Sequence, residues 1–174
     1  LFAAIDCGLE KLYRLCGLIA AVLLATLTAL VLLSILTRFF DTFIAGLTEY
    51  AGYTMAASSF FAMAYTFRSG GHIRVQLLIS NLPPGARRIS DLWCLAVFAL
   101  ITSYLAYYLI ELAWESWAFG EISEGGDALP LWIPQTPTAI GAGIFALSAI
   151  HSFIKALFDP SVMQEIDSGA GAEQ

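Results

Sequence analysis

Four apolar stretches separated by short polar ones divide this chain. Residues 15–37 carry no charge, and at about 1.5 Å per residue a helix that long covers roughly 34 Å, enough to cross a hydrocarbon core of about 30 Å. Ahead of it Phe2, Ile5, Leu9 and Leu12 form a helical apolar stripe beside Asp6, Glu10, Lys11 and Arg14, which predicts an interfacial lead-in running into the first span. Residues 50–67 supply a second span, with Thr48 expected as its N-cap and Glu49 in its first turn, where the helix dipole favours a carboxylate. A third runs from 92 to about 112 and is expected to continue as helix past Glu111 and Glu115, because no Gly or Pro interrupts it before Gly120. The fourth apolar run contains Pro134 and Pro137, which predicts a helix over 137–157 with Thr136 as N-cap and Pro137 in its first position.

Two spans carry small residues at helical spacing: Gly52, Ala56 and Ser59 in the second, and Ala139, Gly143, Ala146 and Ala149 in the fourth. Such stripes let helices approach closely, and they are read as helix-packing or partner interfaces, together with Glu49. Between spans two and three lies FRSGGHIRVQLLISNLPPGARR, residues 67–88. Gly70 and Gly71 can end the preceding helix with a left-handed cap. Val75, Leu78, Ile79 and Leu82 then share one helical face, which predicts a short amphipathic helix over 73–82 lying in the membrane interface and stopped by Pro83 and Pro84. Arg68, Arg74, Arg87 and Arg88 are expected to meet lipid headgroups. Trp93 at one end of the third span, and Tyr107, Tyr108, Trp114 and Trp117 at the other, form aromatic belts that mark the water interfaces.

Composition sharpens this picture. With 59% hydrophobic and 13% charged residues, the chain is too apolar for an ordinary soluble domain. The expected fold is an all-α membrane protein with four transmembrane helices in a single domain, residues 1–158, followed by a short tail over 159–174. The net charge of −6 matters less than its distribution. With both termini cytoplasmic, Lys11, Arg14, Arg68, Arg74, Arg87, Arg88 and Lys155 lie inside and only Arg38 lies outside, a strong positive-inside signal. The chain opens on Leu rather than Met, which leaves room for missing residues upstream, and Asp6 and Glu10 are unlike the basic region of a signal peptide.

No phosphate loop, zinc-protease motif, nucleophile elbow or metal-spaced Cys and His cluster is present in the sequence. Cys7, Cys16 and Cys94 are read as small buried hydrophobes. His72 and His151 are the candidate ligands for the main alternative, a haem- or quinone-linked membrane anchor of a redox complex, but His72 directly follows two glycines and is poorly held there. A free-standing four-span channel is a further alternative. The middles of the four spans carry no ionisable residue of the kind that marks a transport site. Neither substrate-binding, catalytic nor metal-binding residues are assigned, and no cofactor is expected. The acidic stretch Glu111, Glu115, Glu121, Glu124 and Asp127 lacks the ligand spacing of a calcium loop and is read as a solvated, topology-enforcing loop.

The segment RSGGHIRVQLL, residues 68–78, resembles the signature that follows the second span in the small membrane subunit of tripartite ATP-independent periplasmic (TRAP) transporters, the DctQ-like or Q component. Its most specific part is Gly70, Gly71, His72, Ile73, Arg74 and Val75. Arg38-Phe39-Phe40, Thr48-Glu49 and Pro130-Leu131-Trp132-Ile133-Pro134-Gln135 resemble other family landmarks. Gln76 stands where the family often has an acidic residue, and Tyr50 where it often has a second glutamate. The resemblance implies a multi-pass protein of the bacterial inner membrane that braces a larger membrane subunit. That partner would carry sodium-coupled import of a carboxylate-type solute delivered by a periplasmic binding protein.

Overall fold

The computed structural model describes residues 2–42, 44–68, 84–123 and 128–158. These form four helices: α1 (Phe2–Phe39), α2 (Leu47–Arg68), α3 (Pro84–Phe119) and α4 (Trp132–Phe158). The amphipathic helix expected over 73–82, the glycine turn before it and the tail over 159–174 lie outside the described residues. Three helices, α1, α3 and α4, are long and apolar enough to cross a membrane.

The 38 residues of α1 form one continuous helix, so the lead-in and the first apolar run are a single rod of about 57 Å. It ends in a Schellman motif, in which the Thr42 amide donates to the Thr37 carbonyl (2.8 Å) and the Asp41 amide to that of Arg38 (3.3 Å). Asp41 takes the left-handed conformation there, φ 53°. The third helix ends the same way: Gly120 has φ 64°, and the Glu121 amide donates to Ser116 (3.0 Å) and the Gly120 amide to Trp117 (3.4 Å). Helix α3 thus runs past Glu111 and Glu115, as the absence of a breaker implies.

Two helix starts differ from the sequence expectation. Thr48 is not the N-cap of α2, because the helix already begins at Leu47, which is buried. Gly46, at φ 83°, makes the entry turn, and its carbonyl accepts from the Tyr50 amide (2.9 Å). Thr136 is not the N-cap of α4, and Pro137 lies inside the helix. An antiparallel bridge between Ile122 and Pro130 anchors the chain just before Trp132, and the Leu131 carbonyl then receives the Gln135 amide (3.3 Å). Pro134 falls in the first turn, where no amide is required. Thr136 and Thr138 donate side-chain hydrogen bonds back to Trp132 (2.6 Å) and Pro134 (3.4 Å), on either side of Pro137.

Helix α1 packs on α2, α2 on α4, and α4 on α3, while the remaining pairs barely touch. Phe60 lies against Gly141 and Phe67 against Phe145, so α2 and α4 run parallel at the centre with α1 and α3 antiparallel on their flanks. Only 6% of the most apolar stretch of α1 is buried, against 39% for α4, which places α1 at the edge and α4 inside. A Cβ at Gly141 would lie 2.9 Å from the Phe60 Cβ and 3.3 Å from the Phe61 amide nitrogen, whereas one at Gly143 meets nothing within 4 Å.

This contrast sets a paired prediction. Gly141→Ala should lower stability by about 1–3 kcal/mol through overpacking, while Gly143→Ala should be neutral or stabilising by up to about 1 kcal/mol through helix propensity. Thermal unfolding in mild detergent checks it. Equal melting temperatures for the two variants would show that α2 and α4 are not in close contact at Gly141.

Candidate functional site

The helix arrangement sorts charge by end. Lys11, Arg14, Arg68, Arg87, Arg88 and Lys155 fall at one end of the described helices, with Glu10 and Asp91 among them. Asp41, Glu49, Glu111, Glu115 and Glu121 lie toward the other end, where Arg38 is the only basic residue among the described residues. The sides between these ends are apolar. Leu18, Val22, Leu32 and Ile35 of α1, and Val97, Leu100, Ile101 and Leu105 of α3, are all exposed. Trp93, Tyr107, Tyr108, Trp114 and Trp117 also point outward, as aromatic belts require. Cys16 is buried as expected, but Cys94 is exposed beside Trp93 on the outer face of α3. A thiol is apolar enough for that face.

Six hydroxyls on these helices are satisfied locally. Thr26 and Thr28 donate to the carbonyls four residues back (2.9 Å each), and Thr54, Ser59, Thr102 and Ser103 do the same. Such back-bonding is what a side chain needs where water is absent.

Inside, apolar contacts join the helices. Cys16 and Ala20 of α1 cluster with Phe61 of α2, with Ile144 of α4 against them. The close fit of α1 on α2 comes from Gly17, where a Cβ would sit 3.0 Å from the Tyr65 ring. Toward the basic end Phe67, Phe98 and Phe145 bring α2, α3 and α4 together. Phe67 stacks on Phe98 (centroids 5.0 Å, 23°), and Phe145 meets both rings edge-on at 6.1 and 5.6 Å, a geometry that aromatic quadrupoles favour. At the acidic end the Tyr53 hydroxyl donates to Ser123 Oγ (3.4 Å), and the Ser116 hydroxyl to Glu121 (2.9 Å). The first bond holds the α3–α4 connection against α2, and the second ties its start to the end of α3.

The sequence-predicted residues divide into three groups. Gly70, Gly71, His72 and Arg74 lie outside the described residues, and nothing is described of the side chains of Arg68 and Arg87, which sit at the adjoining helix ends. Arg88 is exposed. On α4, Ala139 and Ala146 are buried along with Ala142 and Ala149, and Ala142 and Ala146 pack against Ala106 and Leu109 of α3 and Phe60 of α2. On α2 the stripe points the other way. Gly52 and Ser59 are exposed, Ala56 and Glu49 are half-buried, and the space around Gly52 is open. The buried face of α2 is instead Ala57, Ser58, Phe61 and Ala64.

Sequence reading missed three features. Gly141, rather than Gly143, makes the closest helix contact. The aromatic trio joins helices far apart in the chain, so no local spacing announces it. Asp91 is a buried carboxylate, 4% exposed, two turns before Phe98 and therefore level with His151 to Lys155 on antiparallel α4. Among the described residues no group of His, Cys, Asp and Glu could hold a metal ion.

A family model described as tripartite ATP-independent periplasmic transporters, DctQ component, matches residues 27–159. No curated protein and no solved structure matches.

Ser148 is fully buried, and its Oγ has no hydrogen-bond partner among the described residues. Ser148→Ala should therefore raise stability by about 1 kcal/mol, the cost of an unsatisfied buried hydroxyl. Thermal unfolding of the detergent-purified chain tests this, and a lowered melting temperature would reveal a bond that the hydroxyl does make.

Proposed function

The chain belongs to the DctQ family, the small membrane component of tripartite ATP-independent periplasmic transporters, and from that premise we propose that it is a static scaffold for a larger transport subunit. The observation that carries the reading is the contrast between interior and surface. The hydroxyls of Thr26, Thr28, Thr54, Ser59, Thr102 and Ser103 fold back on their own helices, and small residues and rings fill the interior. An extensive apolar surface is left for lipid and a partner.

In this reading α2 is a fourth span. Its 22 residues cover about 33 Å, and its Ser, Thr and Gly content suits a helix that faces protein on two sides rather than lipid all round. Both termini lie in the cytoplasm, because the basic end is the one retained there, and the protein sits in the bacterial inner membrane. Gly52, Ala56 and Ser59 offer the large subunit a surface of small residues, and Glu49 lies in the same helix near its acidic end. The segment 73–82, with Arg68, Arg74, Arg87 and Arg88 at headgroup level, fixes the depth of the scaffold. The partner carries the sodium-coupled movement of a carboxylate-type solute, and a periplasmic binding protein delivers that solute.

The test is to purify the tagged chain from its native host in mild detergent and to reconstitute what comes with it. A larger membrane protein should co-purify in equal amount without a haem band, and solute uptake into liposomes should need that partner as well as the binding protein. Uptake by the small chain alone, or a haem absorption band, would contradict the scaffold role.

A further inference from the structure

Between α1 and α2 at the acidic end lies an open groove of about 530 Å³, within the range of small-molecule sites, about 300–1,000 Å³. Its walls are mostly apolar: Val31 and Ile35 from α1, Leu47 and Ala51 from α2. Arg38 closes its outer end beside Thr48. Val31 lies seven residues deeper along α1, about 10 Å from Arg38 on the helix axis.

Arg38 is out of place by charge. It is the one basic residue described at an end otherwise lined by Asp41, Glu49, Glu111, Glu115 and Glu121. Its side chain is exposed and makes no hydrogen bond or ion pair among the described residues. Asp41 and Glu49, the nearest carboxylates along the chain, do not line the groove. A fixed cation at the mouth of an apolar channel, on a helix whose outer side is bare hydrocarbon, is complementary to one ligand class: an anion carrying an alkyl chain.

We propose that this groove binds a membrane phospholipid with a net-negative headgroup, its phosphate on Arg38 and the first methylenes of an acyl chain along Val31, Ile35, Leu47 and Ala51. The guanidinium supplies charge-assisted hydrogen bonds to phosphate oxygens, and Thr48 offers a hydroxyl at the same mouth. The bound lipid fills the cleft between the edge helix and the core. The proposal rests on α1 and α2 both crossing the bilayer, as in the function proposed above.

The experiment is native mass spectrometry of the full chain, with any co-purified subunit, released from nanodiscs of equal parts phosphatidylglycerol and phosphatidylcholine. Wild type should retain phosphatidylglycerol in preference to phosphatidylcholine. Arg38→Gln should cut that retention about tenfold, the loss of one charge-assisted contact, whereas Arg38→Lys should keep most of it. Ala51→Phe, which obstructs the groove with Arg38 intact, should cut it as well, and Gly143→Ala, on α4 outside the groove, should leave it unchanged. Added inorganic phosphate should not displace the lipid. Undiminished retention in both Arg38→Gln and Ala51→Phe would overturn the proposal. So would a photo-crosslinker at Ile35 that captures a protein segment and no lipid. The presence of a partner subunit, read from the same spectra, reports separately on the scaffold role.

Discussion

The fold depends on the absence of a side chain at Gly141. Without it, α4 comes close enough for its backbone to rest against Phe60 and Phe61 of α2, and two parallel helices become the centre of the molecule. In hydrocarbon no hydrophobic force draws helices together, since lipid tails are as apolar as leucine, so close packing must supply the attraction. The contact also sets where the next residues fall. Ala142 and Ala146 turn toward Ala106 on α3, and Phe145, one turn beyond Gly141, meets Phe67 and Phe98. Helix α1 is then added at the outer side of α2 through Gly17 and Tyr65.

A core built this way has little that can move past anything else. Rings and small side chains interlock between α2, α3 and α4, and interlocked packing is bistable at most, not freely sliding. The hydroxyls of Thr26, Thr28, Thr54, Ser59, Thr102 and Ser103 are tied to carbonyls of their own helices, so they do not bridge helices. Tyr53 and Ser123 fasten the α3–α4 connection to α2 at one end. The exposed sides of α1 and α3 are apolar over most of their length. Physically the chain is a braced wall with a lipid-compatible face, which suits a subunit that holds a moving partner in place.

The broad architecture was legible because it follows from one-dimensional signals. Runs of apolar residues as long as a bilayer is thick announce spans in α1, α3 and α4, and Gly120 marks the end of α3 where the left-handed cap occurs. Helix starts were harder. Pro137 reads as a first helical residue, but the bridge between Ile122 and Pro130 starts α4 a turn earlier and places the proline inside. The small-residue stripe of α4 fell on its buried face at Ala139, Ala146 and Ala149, whereas that of α2 fell on its exposed side. Gly52 and Gly143 have the right spacing yet meet open space, while Gly141, two residues from Gly143, makes the contact. Helical periodicity gives the phase of a stripe only when one face is buried. Here α4 is covered by α2 on one side and by α3 on another, which blurs that phase. The buried Asp91 and the Phe67, Phe98 and Phe145 cluster depend on tertiary pairing and leave no mark at short range.

In a static scaffold the α2–α4 pair stays fixed while a partner moves. Spin labels at Met63 and Ile150, both exposed, one on each central helix, would report the distance between them by pulsed electron paramagnetic resonance in the reconstituted transporter. A single narrow distribution, unchanged by solute, driving ion and binding protein, is the predicted result. A second distance that grows as transport is driven would contradict it, and would make the chain a moving part.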